Sequence, residues 1–241
     1  MAQYVPPLVW SDRALRARAF VLEFWGQHGR GPNLRQAHEG TGLSRRDLVQ
    51  AYKELQTGIV LVADQDSPNC DILKIPPYSA FPSQIEMYVG DDFHSFIGCA
   101  HEAVAVSKMP AFVGVEVRLE SYCACCMAPI TLWSREFEIT RVEPSEPLVH
   151  CAQPVWDWVH DDMKQMCDNT NFVLDAEHAL EFERQIGRRG ILFTLDQVKR
   201  YVEPAIGKRG WDYHWASQSM SPEPIIDRLR ALGVDLSPWA I

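Results

Sequence analysis

Apolar residues early in the chain recur every three or four positions, a spacing that predicts amphipathic helices. The first predicted helix is capped by Ser11 or Asp12, ends at Gly29, and carries Ala14, Ala17, Val21, Leu22 and Trp25 on its apolar face. A short helix is predicted over 34–38. A third begins at Ser44, where Asp47 three residues later resembles a capping box. Residues 58–63 and 71–75 then predict a strand hairpin, which completes a winged helix-turn-helix-like unit over residues 1–80.

The later chain mixes strand and helix patterns and begins after a proline-containing connector at 76–82. Strands are predicted at 86–89, 113–120, 130–133, 137–142 and 191–193. Helices are predicted over 92–106, from 156 toward 167, and over 176–184, 195–202 and 224–232. These elements predict an α+β fold. The N-terminal unit is followed by a core of mixed or antiparallel strands with helices over 81–210, and by a C-terminal extension over 211–241.

A winged-helix unit raises the question of DNA binding, because its third helix carries Arg45, Arg46 and Lys53. Acidic residues lie among or close to these bases: Glu39, Asp47, Glu54, Asp64 and Asp66. The unit therefore has no surface of purely positive charge, and the formal net charge of −9 disfavours a protein that binds a phosphate backbone. A structural or dimerising module is favoured over DNA binding, and a metal-responsive regulator is the least favoured function.

The composition indicates the class of protein and the cellular compartment in which we expect it. The 241 residues are 46% hydrophobic and 23% charged, which is typical of a globular protein with a sizeable core. No apolar run is long enough to span a bilayer, and no secretory signal is recognisable, so we expect a cytoplasmic protein without membrane partners. Seven cysteines, an odd number, favour free thiols or metal ligands over a disulfide framework.

Cys99 and Glu102 are three residues apart, which places them on one face of the predicted 92–106 helix. A carboxyl group beside a thiol can accept its proton and later deliver a proton to an atom bonded to the captured species. Either residue alone also suits a structural role, since isolated cysteines are usually small buried hydrophobes.

Two further cysteine clusters could bind metal. Cys123 and Cys126 have C-x-x-C spacing, but a structural zinc site needs four ligands, and Cys123 could equally be a packing thiol. The missing ligands would have to come from Cys151, Cys167, His150 or His160. Cys167 precedes a loop-like run at 168–171, which suits ligation, whereas Cys70 and Cys151 are assigned structural roles.

Three segments together resemble the core of the organomercurial (alkylmercury) lyases: residues 93–104, 122–132 and 166–172. The likeness runs from about Trp10 to about Pro204. In that family a Cys-Ala-x-Asp segment supplies the first catalytic thiol and an aspartate; here it reads Cys99-Ala-His-Glu102. The family's cysteine before an Ala-Pro step matches Cys123, and its second catalytic cysteine matches Cys167.

The resemblance implies that residues 81–210 form a catalytic core that cleaves carbon–mercury bonds by protonolysis, a role in mercury resistance and detoxification. Cys99 and Cys167 would bind the mercury, and Glu102 would carry the proton to carbon. No organic cofactor is implied, and Hg(II) is the bound product. The implied partners are an organomercurial substrate, low-molecular-weight thiols, and mercuric reductase as a further acceptor of Hg(II).

The sequence departs from the family pattern at several positions. Glu102 replaces aspartate, and Gly98 stands where a bulky aromatic residue is common. His101, Cys125, Cys126 and the chain after Trp211 match nothing in the family pattern. These departures keep a second hypothesis open: a non-catalytic or differently specialised thiol-based protein that binds copper, zinc or mercury through Cys99, Cys123, Cys126 and Cys167.

Overall fold

The computed structural model describes residues 8–58, 60–64, 66–157, 167–205, 217–218 and 222–240. This part of the chain has the predicted α+β composition, with three helices near its start and further helices placed among and after the strands. The helices are α1 (Asp12–His28), α2 (Leu34–Thr41), α3 (Arg45–Thr57), α4 (Ala100–Ala105), α5 (Ala176–Ile186), α6 (Leu195–Ala205) and α7 (Glu223–Ala231).

The strands form antiparallel sheets. They are β1 (Leu8–Val9), β2 (Val62–Ala63), β3 (Ile72–Ile75), β4 (Tyr78–Ser79), β5 (Ile85–Val89), β6 (Asp92–Ile97), β7 (Glu116–Tyr122), β8 (Pro129–Arg135), β9 (Glu138–Glu143), β10 (Leu148–Cys151), β11 (Thr170–Val173), β12 (Ile191–Phe193) and β13 (Ser217–Gln218). An eight-stranded sheet has the order β2-β3-β4-β6-β5-β7-β8-β9, a three-stranded sheet has the order β11-β10-β12, and β1 pairs with β13.

The N-terminal helices form where caps and apolar spacing agree. The Ser11 hydroxyl accepts a hydrogen bond from the Ala14 backbone N–H at the start of α1, and Gly29 ends the helix in the left-handed conformation. The Ser44 hydroxyl likewise accepts from the Asp47 backbone N–H at the start of α3. The apolar face of α1 is buried and packs against α3. The three predicted helices are therefore confirmed.

The N-terminal unit is joined to the rest of the protein by a shared sheet. Strands β2 and β3 pair as the predicted hairpin, but the predicted connector at 76–82 contains β4, which pairs with both β3 and β6. Tyr78, between two apolar strands, is buried rather than part of a linker. The eight-stranded sheet therefore continues across residue 80, and the predicted domain boundaries themselves stay predictions.

The predicted helix over 92–106 is wrong for its first half. Residues 92–97 form β6, which pairs with β5 across a tight turn where Gly90 has a φ of 63°. Ser95 and Ile97 are buried while His94 and Phe96, which alternate with them, are only half-buried, so the burial pattern favours a strand period over a helical one. Only the short α4 follows, and Cys99 is its N-terminal cap rather than a residue of its interior.

The other predicted elements of the core are confirmed as β5, β7, β8, β9, β12, α5 and α6, and the predicted C-terminal helix as α7. The helix expected from 156 toward 167 lies mostly outside the described residues, as does much of the extension after Trp211. None of the helices described here is long and apolar enough to cross a membrane.

Candidate functional site

Cys99 and Glu102 are held together by the junction of β6 and α4. Cys99 has an extended backbone conformation, and its carbonyl accepts a hydrogen bond from Ala103 at 3.0 Å, which begins α4. Glu102 lies in the first turn of that helix. Residues at the cap and three positions later lie side by side across the first turn, so the two side chains are neighbours without sharing a helix interior.

Cys167 reaches the same place from a distant part of the chain, just before β11. Its Sγ donates to Oε1 of Glu102 at 3.7 Å. The ligand atoms of Cys99, Glu102 and Cys167 all lie within 4.8 Å of one another. The three residues are 6%, 4% and 2% exposed, respectively. Among the described residues this is the one group of at least three Cys, His, Asp or Glu side chains close enough to share a metal ion.

Apolar side chains pack against the two cysteines of this group. Val62 packs with the two cysteines in a small cluster separate from the main core, and Leu73 packs against it. The pKa of the Cys167 thiol is raised well above its ordinary value by a hydrogen bond with Cys99, by burial, and by the negative charges of Glu102 and Cys99. Cys167 is therefore a protonated thiol near neutral pH.

A buried cation, Lys74, lies beside the group. It comes from β3, is 1% exposed, and its Nζ donates to Oδ1 of Asp168 at 2.7 Å. Burial, the largest influence on the pKa of Lys74, lowers it. The thiolate form of Cys167, the hydrogen bond and charge of Asp168, and the charge of Glu102 together outweigh burial and raise the pKa overall. The ammonium group is therefore charged, and it opposes the rise in the pKa of Cys167.

Sequence reasoning missed Lys74, although a signal for it exists. In a strand, residues two apart point to the same face, so Lys74 shares a face with the buried Ile72. A lysine on a buried strand face is rarely left unpaired. The identity of its partner, 94 positions away, is set by the fold.

His101, between the two site residues of α4, has a packing role. Its ring meets the Phe193 ring edge-on at 5.1 Å and lies 5.3 Å from the Tyr201 ring. Burial lowers the pKa of His101 to about 3, so the imidazole is neutral at neutral pH. Its Nε2 atom has no hydrogen-bond partner among the described residues.

The structure does not bring Cys123 or Cys126 into the group formed by Cys99, Glu102 and Cys167. Cys123 is fully buried in the main core, and its backbone N–H donates to the Ala128 carbonyl at 2.8 Å. Cys125 is half-buried and Cys126 is exposed. All seven cysteines are described and none forms a disulfide. Metal binding by Cys123 or Cys126 stays a prediction.

Two buried thiols with a carboxyl group between them define a protein that can hold a thiophilic metal and move a proton beside it. The family model described as alkylmercury lyase (MerB) matches residues 80–205, about half of the chain, including Cys99, Glu102 and Cys167. The chain belongs to the alkylmercury lyase family.

A solved structure shows the same fold. The chain is similar to the crystal structure of the mercury-bound form of MerB2, with a TM-score of 0.64 and 16% sequence identity. The similarity covers 85% of this chain and 93% of that chain. No curated protein matches this chain.

Proposed function

We propose that the protein is an organomercurial lyase that cleaves a carbon–mercury bond by protonolysis, with Cys99 and Cys167 as mercury ligands and Glu102 as proton carrier. The observation that carries the proposal is the convergence of two buried thiols and one buried carboxyl group within 4.8 Å. Membership of the alkylmercury lyase family supports the same chemistry.

Capture of the substrate needs both thiols to lose a proton. The substrate enters as R–Hg–SR′, and Cys99 displaces the R′S⁻ group, which leaves with the thiol proton as R′SH. Coordination to mercury lowers the pKa of the Cys167 thiol, so Cys167 gives its proton to the Glu102 carboxylate as it binds the metal as a thiolate. The 3.7 Å contact between Cys167 Sγ and Glu102 Oε1 supports this transfer. Glu102 is then a neutral acid beside the metal-bound carbon.

Cleavage returns that proton. Two thiolate ligands increase the electron density on the carbon, and Glu102 protonates it, so that the electron pair of the C–Hg bond forms the new C–H bond. The products are R–H, Hg(II) held by two thiolates, and a Glu102 carboxylate. Two external thiols then remove mercury as Hg(SR′)₂ and return two protons to the cysteines. Mercury stays in the +2 state throughout, so no redox cofactor is required.

The apolar side chains and the cation beside the group favour this order of steps. Val62 and Leu73 limit the water around the thiols, and electrostatic interactions are stronger in such a medium. The Lys74 ammonium offsets the negative charge that accumulates when both cysteines are thiolates. The release of Hg(II) to small thiols, or to a mercuric reductase, belongs to the same proposal.

The decisive experiment measures hydrocarbon release from phenylmercury and methylmercury by the purified protein in excess thiol. Benzene or methane should form over many turnovers. Glu102→Gln is the matched control, because glutamine keeps the shape of the side chain but does not carry the proton. Its hydrocarbon release should fall to the rate of the protein-free solution.

Two other outcomes would contradict the proposal. Stoichiometric mercury uptake without hydrocarbon would favour the alternative of a thiol-based metal-binding protein, and the assay would then turn to copper and zinc. Hydrocarbon release that is equal in Glu102→Gln and in the unchanged protein would mean that another group delivers the proton.

A further inference from the structure

Gly98 lies directly against the carboxyl group of Glu102. A Cβ atom added to Gly98 would stand 2.3 Å from Oε2 of Glu102, 3.3 Å from its Cδ and 3.7 Å from its Oε1. The first distance is far shorter than a van der Waals contact. Glu102 is 4% exposed, so its carboxyl group could not move into solvent without rearrangement of its neighbours.

Backbone conformation does not explain this glycine. The φ of Gly98 lies outside the left-handed region that favours glycine. Its N–H donates to the Pro77 carbonyl at 2.8 Å, a hydrogen bond that alanine would also make. Because Gly98 has no side chain, it leaves space beside the carboxyl group of Glu102.

We propose that Gly98 is a positioning residue that makes room for the long carboxyl side chain of Glu102, so that the length of the acid and the size of residue 98 are coupled. The inference rests on the proposed function: the position of the Glu102 carboxyl group affects the rate because that group carries the proton. One carboxylate oxygen contacts Cys167 while the other lies over Gly98. A methyl group at position 98 would displace the carboxyl group from the position in which its Oε1 contacts Cys167.

The test is a double-mutant cycle on Gly98→Ala, Glu102→Asp and the double variant. Gly98→Ala should lower kcat for benzene release from phenylmercury by about 10- to 100-fold, the cost typical of a misplaced catalytic group. Its stoichiometry of Hg(II) binding should not change, because both thiols remain. Glu102→Asp alone should also lower kcat, because the carboxyl group retreats by one methylene.

The double variant distinguishes a specific effect on the position of Glu102 from a general disturbance of the local packing. With aspartate at position 102 the clash is absent, so Gly98→Ala should change kcat by less than about threefold in that background. An equal loss in both backgrounds, or an unchanged kcat in Gly98→Ala, would overturn the inference. Gly26→Ala is the control for overpacking, since its Cβ would meet the Ala111 Cβ at 2.5 Å away from the site. It should lower the melting temperature and leave kcat unchanged.

Failure of the proposed function would be recognised separately. If the unchanged protein releases no hydrocarbon, the lyase proposal fails, and the melting temperatures of the same four proteins still test the contact. Gly98→Ala should lower the melting temperature more with Glu102 than with aspartate at that position. Equal shifts would show that residue 98 and residue 102 are not coupled.

Discussion

Lys74 and Asp168 form an ion pair of 2.7 Å that joins β3 to the residue immediately after Cys167. The pair is asymmetric, because the Lys74 side chain is 1% exposed while that of Asp168 is 47% exposed. Asp168 thus lies on the solvent side of Lys74 and pairs with its buried ammonium group. The interaction connects the N-terminal part of the eight-stranded sheet to the segment that carries the second thiol of the site.

Lys74→Met should lower kcat for hydrocarbon release by about tenfold, because the charge that offsets the thiolates is lost while the aliphatic volume is kept. The loss should be smaller than that of Glu102→Gln, since Lys74 lies beside the reacting groups. Steady-state rates with phenylmercury would measure it. The control is Lys53→Met, an exposed lysine of α3, which should keep full activity. Full activity in Lys74→Met would mean that the ion pair is only structural.

Cys99→Ser and Cys167→Ser should each reduce hydrocarbon release by more than about 100-fold. A serine hydroxyl has nearly the same size as a thiol but is a hard, protonated ligand that binds mercury poorly. Each variant should also bind Hg(II) less tightly than the unchanged protein in competition with a small dithiol. Cys126→Ser, at an exposed position outside the group, is the matched control. Undiminished cleavage by Cys99→Ser would contradict the mechanism.

Glu102→Gln should separate mercury binding from cleavage. With both thiols intact, we expect one Hg(II) bound per chain at nearly unchanged affinity, while hydrocarbon release is lost. Titration with Hg(II) in the presence of a competing thiol would measure the first quantity. A large fall in affinity would instead indicate that the carboxylate is itself an essential ligand.

The N-terminal helices could be predicted because local signals agree there. Ser11, Ser44 and Gly29 mark helix ends in the sequence, and the apolar positions between them have one period. Such signals involve residues close in sequence, and the fold did not override them. The prediction of one helix over 92–106 was wrong because this segment contains two short elements, a strand and a helix, on either side of Gly98.

The site was less accessible to sequence reasoning. Sequence spacing correctly predicted that Cys99 lies near Glu102. The prediction holds although the predicted helix was wrong, because a helix cap residue and the third residue of that helix are also neighbours. The approach of Cys167 depends on the packing of α4 against β11, which no local pattern encodes. The space at Gly98 and the burial of Lys74 are likewise properties of the packed structure.

Protonation of His101 should make the protein acid-sensitive. The pKa of this side chain is about 3 in the folded protein because of burial, against an ordinary value of 6.5. Between these two pH values the unfolded chain binds a proton that the folded protein does not. The stability of the fold therefore falls as pH decreases from 6.5 towards 3, by up to about 1.4 kcal/mol per pH unit for this one group.

His101→Phe should make this dependence shallower. Phenylalanine keeps an aromatic ring against Phe193 and Tyr201 and takes up no proton, and the Nε2 atom it removes has no hydrogen-bond partner among the described residues. Urea unfolding at about pH 6, 5 and 4 would give the free energy of unfolding at each pH. His94 and His150 also have lowered pKa values because of burial, so some slope should remain in the variant. A slope equal to that of the unchanged protein would show that His101 takes up its proton in the folded state.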